Sequence, residues 1–198
     1  MILRPTGSHL GSHLGSLLGS LLGALALLAC GGDDTSSSSG GGASPTAPSF
    51  TPDTAGAGAR LYLQAEPVAG TTRLSLSLVA EGLGDVLGWS AHLVYDPEAV
   101  RVEDLTIRAE VMGEADEIVA LDRPAAGDRA LACTRISHAL GGVSLTAPTA
   151  LASFTAELTA GSSSRLSLTP VVVRGPEGDY LPALGEGGVI DGGSEGAR

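Results

Sequence analysis

The strongest constraint on what this chain can fold into is a hydrophobic period of two. Leu74, Leu76 and Leu78 alternate with Arg73, Ser75 and Ser77. Trp89, Ala91, Leu93 and Tyr95 alternate with Ser90, His92 and Val94, and Ala152, Phe154, Ala156 and Leu158 alternate with Ser153, Thr155 and Glu157. Leu166 and Leu168 do the same against Arg165 and Ser167. Successive side chains of a strand point to opposite faces, so each run buries one face and leaves the other to solvent. Turn signals separate the runs: Gly82 and Gly84-Asp85, Asp96-Pro97, Gly141-Gly142, Gly161-Ser162 and Pro176-Glu177-Gly178-Asp179. Many half-buried strands between such turns describe an all-β chain, an antiparallel β-sandwich spanning residues 59–191, followed by a disordered tail at 192–198. Only residues 108–121 carry helix-like spacing, with Val111, Ala115, Ile118 and Val119 on one side. Gly113 interrupts them, so this stretch is expected to be a loop or a short helical turn.

Composition narrows the function. Aromatic residues make up 3% of the chain, so the interior must be built from Leu, Val, Ala and Ile. The formal net charge is −11, and every one of the 11 basic residues is Arg. An acidic chain with no basic cluster is unsuited to nucleic acid and to electrostatic docking on anionic lipid. The two cysteines, Cys30 and Cys133, lie in segments with different fates, which argues against a disulfide framework. Cys133 falls in the apolar run Ala130-Leu131-Ala132-Cys133 and reads as a small buried hydrophobe.

Residues 1–29 read as an address. Arg4 supplies a positive charge, and an apolar stretch of about 14 residues follows, short for a membrane-spanning helix but fitting a signal-peptide core. It ends Leu27-Leu28-Ala29-Cys30-Gly31, which is similar to a bacterial lipobox. That likeness implies cleavage before Cys30 and acylation of its thiol, anchoring the mature protein to the membrane at roughly 0.8 kcal/mol per buried methylene. A Gly-Ser-His-Leu repeat inside this segment carries His9 and His13, which leave with the peptide. Residues 31–58, rich in Gly, Ser, Pro and Thr, have almost no apolar residue beyond Phe50 and are expected to form a disordered spacer of about 30 Å mean reach. Gly31, where the enterobacterial sorting rule would place Asp for inner-membrane retention, points to the outer membrane of a bacterial envelope.

Within the domain, His92 is outward-facing by phase, and His138 sits in a loop signal. Glu110, Glu114, Asp116 and Glu117 cluster in the interrupted segment, without a glycine-centred calcium loop or a neighbouring aromatic, and read as a solvated acidic loop. Sugar binding is the second module-type reading of a sandwich. It needs exposed rings; Trp89 is in the buried phase, which leaves Tyr180 as the candidate polysaccharide contact. There is no Gly-x-Ser-x-Gly, P-loop or zinc spacing, so the expectation is a non-enzyme with no cofactor and no metal.

Four pieces of the domain, in order, resemble the cohesin family. They are Leu74 to Leu78 after Gly70-Thr71-Thr72; Gly88-Trp89-Ser90-Ala91-His92-Leu93-Val94-Tyr95-Asp96-Pro97 with its return through Val100 and Val102; Ala150-Leu151-Ala152-Ser153-Phe154-Thr155-Ala156; and Gly187-Gly188-Val189-Ile190. The resemblance implies a jelly-roll sandwich of about nine strands and a non-catalytic module that binds dockerins or another envelope protein through one sheet face. The matching outward positions here are Gly88, Ser90, His92 and Val94. The family often places Asn or Asp where this chain has Gly88 and Ser90. No Asp-x-Asp-x-Asp-Gly calcium repeat occurs in the chain, so any dockerin-like partner is a separate molecule.

Overall fold

The computed structural model describes residues 47–159 and 161–192. Eight long strands carry the fold: β2 (Arg60–Pro67), β3 (Arg73–Glu81), β5 (Gly88–Val94), β6 (Val100–Ile107), β7 (Ile118–Ala125), β8 (Asp128–Arg135), β10 (Thr149–Leu158) and β11 (Ser163–Arg174). A closing strand, broken into β13 (Leu184–Glu186) and β14 (Gly188–Asp191), makes the ninth. Short additions are β1 (Ser49–Pro52), β4 (Leu83–Val86), β9 (Val143–Leu145) and β12 (Tyr180–Leu181).

These strands form two sheets. One runs β1-β14-β11-β5-β8-β7, with β12 also paired to β11. The other runs β13-β2-β3-β10-β6, and β4 and β9 make a separate two-stranded ribbon. Every pairing is antiparallel except β13 with β2. The closing strand leaves one sheet and joins the other at Gly187. A Cβ there would lie 2.0 Å from the Leu166 carbonyl oxygen, so only glycine lets the crossing chain pass this close to β11.

The alternation read from the sequence becomes the core. Leu74, Leu76 and Leu78 stand opposite Ala156, Phe154 and Ala152 across the β3–β10 register, and all six are buried. The other sheet answers with Trp89, Ala91 and Leu93 from β5, Leu131 and Cys133 from β8, and Leu166 and Leu168 from β11. Aliphatic side chains dominate this interior, as the scarcity of rings requires.

Two expectations are corrected. The spacer does not extend to residue 58: Ser49–Pro52 is a strand, paired with β14 from Ser49↔Asp191 to Pro52↔Gly188. Its stabilisation is mostly backbone pairing, plus the Phe50 ring seated against Gly188, so it leaves little compositional trace. Residues 108–121, expected to be a loop or a short helical turn, do contain short helical turns, and the correction is confined to their end, which is strand from Ile118. Two 3₁₀ turns, Ala109–Val111 and Ala115–Glu117, lead straight into the eight-residue strand β7. Cys30 and the residues before and after it, through 46, lie outside the described residues, as does the tail from 193.

Candidate functional site

The two sheets turn chemically different faces outward. On the five-stranded sheet the two central outward rows are polar. Gln64, Ser77, Ser153 and Thr106 form one, and Glu66, Ser75, Thr155 and Glu103 the next. Arg73 bonds both Glu103 (3.3 Å) and Glu157 (3.4 Å) across this surface. A solvated sheet face normally has this composition.

On the other sheet, the outward residues of β11, β5, β8 and β7 also align in rows. Val172, Ser90, Ala132 and Leu121 form the central row. Arg174, Gly88, Thr134 and Val119 form the row on one side, extended by Tyr180 of β12. His92, Ala130 and Arg123 follow on the other side, then Val94, Asp128 and Ala125. The middle of this face is small and apolar. A shallow hollow of about 230 Å³ runs along it, lined by Gly88, Ser90, Ala132, Thr134, Val172 and Arg174. Val119 and Leu121 are 55% and 51% exposed, and Val94 is 37% exposed.

Polar groups ring that centre. His92 Nδ1 lies 2.9 Å and 3.1 Å from the two carboxylate oxygens of Asp128, which ties the imidazole to the end of β8. Arg174 donates to the Tyr180 hydroxyl at 3.1 Å and places its guanidinium 5.2 Å from the ring centroid. An apolar middle with a polar rim is the anatomy of a protein-docking surface. Four strands at about 4.8 Å spacing and four outward rows give roughly 20 Å by 20 Å, about half the ~800 Å² per partner of a standard interface.

Of the residues singled out in the sequence, Ser90, His92 and Val94 share this face. Gly88 is in phase with them but is buried: a Cβ there would sit 2.5 Å from Thr134 Oγ1, so the threonine side chain covers it. Its contribution is to let Thr134 lie down. Tyr180, read separately as a sugar contact, is 67% exposed and borders the same face through its register with Arg174. Trp89 points inward and is buried. Val119, Leu121, Ala130, Ala132 and Val172 were not legible as site residues, because only the pairing of distant strands brings them beside Ser90. The exposed Val119 and Leu121, two residues apart, were the available signal.

The remaining candidates are dispersed. Glu117 is paired with Arg135 at 3.1 Å, and Glu114 and Asp116 are exposed to solvent. His138 opens a 3₁₀ turn, with its Nδ1 2.7 Å from the Pro176 carbonyl oxygen. Among the described residues no cluster of three or more His, Cys, Asp and Glu side chains is arranged to hold a metal. Cys133 is fully buried; desolvation, aided by the charge of Glu110, pushes its thiol up to about 11. A second hollow of about 370 Å³ lies beside β1 and β2. Its charges are internally matched: Arg60 bonds Glu81 (2.7 Å) and Glu186 (3.3 Å), and Glu81 first among these keeps the guanidinium firmly protonated.

No protein-family model matches the chain, and no curated protein matches it in sequence. Solved structures do match. The second type II cohesin module of the ScaA scaffoldin of Acetivibrio cellulolyticus aligns at TM-score 0.52 and 9% identity, covering 66% of this chain and 96% of that one. The fold is cohesin-like. The cohesin module of a family 33 glycoside hydrolase from Clostridium perfringens aligns at TM-score 0.50 and 13% identity, covering 67% and 96%. A chain of a type I cohesin–dockerin complex from Clostridium thermocellum aligns at 0.50 and 10%, covering 67% and 91%. These similarities establish the jelly-roll architecture; the chemistry of the cohesin-like domain's surface must be read from its own residues. No helix among the described residues is long and apolar enough to cross a membrane.

Proposed function

We propose that this chain is a non-catalytic, extracytoplasmic interaction module that docks a partner protein on the outward face of β11, β5, β8 and β7. The observation that carries the reading is the contrast between the two outward sheet faces. One carries rows of Gln, Ser, Thr and Glu crosslinked by Arg73; the other has an apolar centre of small residues inside a polar rim. Solvation alone gives a sheet no reason to expose Val119, Leu121 and Val94 together. The cohesin-like fold supports this use, because a solved cohesin with similar architecture is found in a complex with a dockerin. The partner is a dockerin-like module or another protein of the envelope. The lipobox-like sequence at Cys30 supports a lipid anchor in a bacterial outer membrane, with the Gly/Ser-rich segment after it as tether.

The test is a paired substitution. Ser90→Arg fills the hollow at the centre of the docking face, and Ser77→Arg puts the same side chain on the polar face. Against dockerin modules and envelope extract, Ser90→Arg is expected to lose at least tenfold in affinity for any captured partner, with Ser77→Arg unchanged. Equal retention by both variants would refute this face. Tyr180 favours a second reading, polysaccharide binding, since its ring is exposed. Arg174 already covers one side of that ring, which leaves a single stacking surface and makes the protein-docking reading the stronger one. A glycan array that binds the chain and goes blank with Tyr180→Ala would reverse that order.

A further inference from the structure

Strand β7 is an edge strand with an unusual free edge. Seven of its eight residues are exposed, and it is paired on one side only, to β8. The Ile136 N–H donates to the Glu117 carbonyl at 2.8 Å, so the odd-numbered residues of this strand direct their backbone groups toward β8. The N–H and C=O groups of Ile118, Ala120 and Asp122 therefore point out of the sheet, and no backbone partner for them is found among the described residues. Native proteins usually blunt such an edge with charge or proline. Here the far half is blunted, by Asp122, Arg123 and Pro124, but the near half, Ile118 to Leu121, is not. Pro124 is in phase with the outward-directed residues, so the N–H it lacks would have faced the free edge and not β8.

Apolar side chains are exposed at this corner too: Val119 and Leu121 on β7, and Ile136, 61% exposed, which follows β8. Arg123 is exposed and no ion pair to it is found among the described residues. Glu117 uses Oε2 for Arg135, leaving Oε1 for another cation.

We propose that β7 pairs with β7 of a second copy of this chain, antiparallel, across a two-fold axis at Ala120. This register sets Ala120 against Ala120 and Ile118 against Asp122 of the second copy, in hydrogen-bonded pairs that use all the free groups and stop short of Pro124. It also sets Val119 against Leu121, from opposite copies, on the outward face, and brings the backbone of Glu117 opposite that of Arg123. A two-fold at Leu121 would instead spend its outer pairs on Pro124 and bring Arg123 against Val119. Charge complementarity and the proline thus select the same register. The two docking faces then lie side by side on one continuous sheet, and their combined area of roughly 800 Å² is that of a full standard partner surface. That consequence rests on the proposed docking role; the pairing itself does not.

The experiment uses the full chain carrying Cys30→Ser, which removes the acylation site. Sedimentation across a concentration series is expected to reach twice the 19.6 kDa chain mass. Ala120→Pro removes one outward N–H, as Pro124 already does, and is expected to return the chain to monomer with its melting temperature unchanged. Arg123→Glu, which faces Glu117 of the second copy, should weaken association at least tenfold. Made together with Cys133→Ala, which removes the thiol opposite it in β8, Ala120→Cys should form a symmetric disulfide on mild oxidation, faster than Gln64→Cys in the same background, because directly opposed Cα atoms in such a pair are about 5.5 Å apart. A monomer at every concentration, or a dimer indifferent to Ala120→Pro and Arg123→Glu, overturns the pairing. Partner capture that is lost in Ser90→Arg but kept in Ala120→Pro would leave the docking face standing without the dimer.

Discussion

Cys133 has no exposed surface and sits in β8 opposite Trp89 and Ala120, so its thiol is held neutral by its surroundings. Its native titration is pushed up to about 11, whereas in an unfolded chain a thiol ionises near 8.5. Below the lower value both states hold the proton and stability is complete. As pH rises from there toward the native value, the unfolded chain has released a proton that the native chain keeps, and stability falls. The slope is at most about 1.4 kcal/mol per pH unit, and the total is of the order of 3 kcal/mol. Urea midpoints should therefore drop from pH 9 to pH 11 in the wild type and drop less in Cys133→Ala; parallel curves would contradict the buried-thiol assignment. Gly187 is decisive for a different reason. A methyl there would meet the backbone of Leu166, which no rotamer can move. Gly187→Ala should cost about 3 kcal/mol or more in urea unfolding, whereas Gly84→Ala, with open space at its Cβ, should cost less than about 1.

At the scale of the element, β3 and β7 show why some strands announce themselves and others do not. β3 lies mid-sheet between β2 and β10 with one wet face, so Leu74, Leu76 and Leu78 alternate cleanly with polar residues. Leu76→Ala, at a fully buried position opposite Phe154, should lose about 2–5 kcal/mol in equilibrium unfolding, and Ser75→Ala next to it about 0.5 or less. β7 is exposed on both sides, and an edge strand with nothing to bury carries no alternation. Its apolar residues and the preceding Glu-rich turns look like an interrupted helix. β1 is hidden for a related reason: backbone bonds to β14 hold it, and backbone bonding leaves no residue-type signature. The site divides the same way. Ser90, His92 and Val94 follow from phase along one strand. Their neighbours Leu121 and Val172 follow only from the registers of β7 and β11 against the middle strands, which no local pattern encodes.

For the whole molecule, the sandwich spends one outward face on solubility and keeps the other for contact. Ion pairs follow that division. Arg73, Glu103 and Glu157 crosslink the polar face. Arg129, in contrast, turns inward from β8 to bond Asp122 and reach the Val102 carbonyl of the opposite sheet, leaving the docking face clear. The hydrogen bond to Asp122 is the main reason its guanidinium is held protonated even more firmly than usual. The central claim is that this clear face, and not its polar counterpart, receives the partner. Methyl-detected NMR on the domain bound to its captured partner tests it most directly. Shifts on binding are expected to be confined to the methyls of Val94, Val119, Leu121, Ala130, Ala132 and Val172. Shifts that instead cluster at Thr106 and Thr155 of the five-stranded sheet, with those six unmoved, would contradict it.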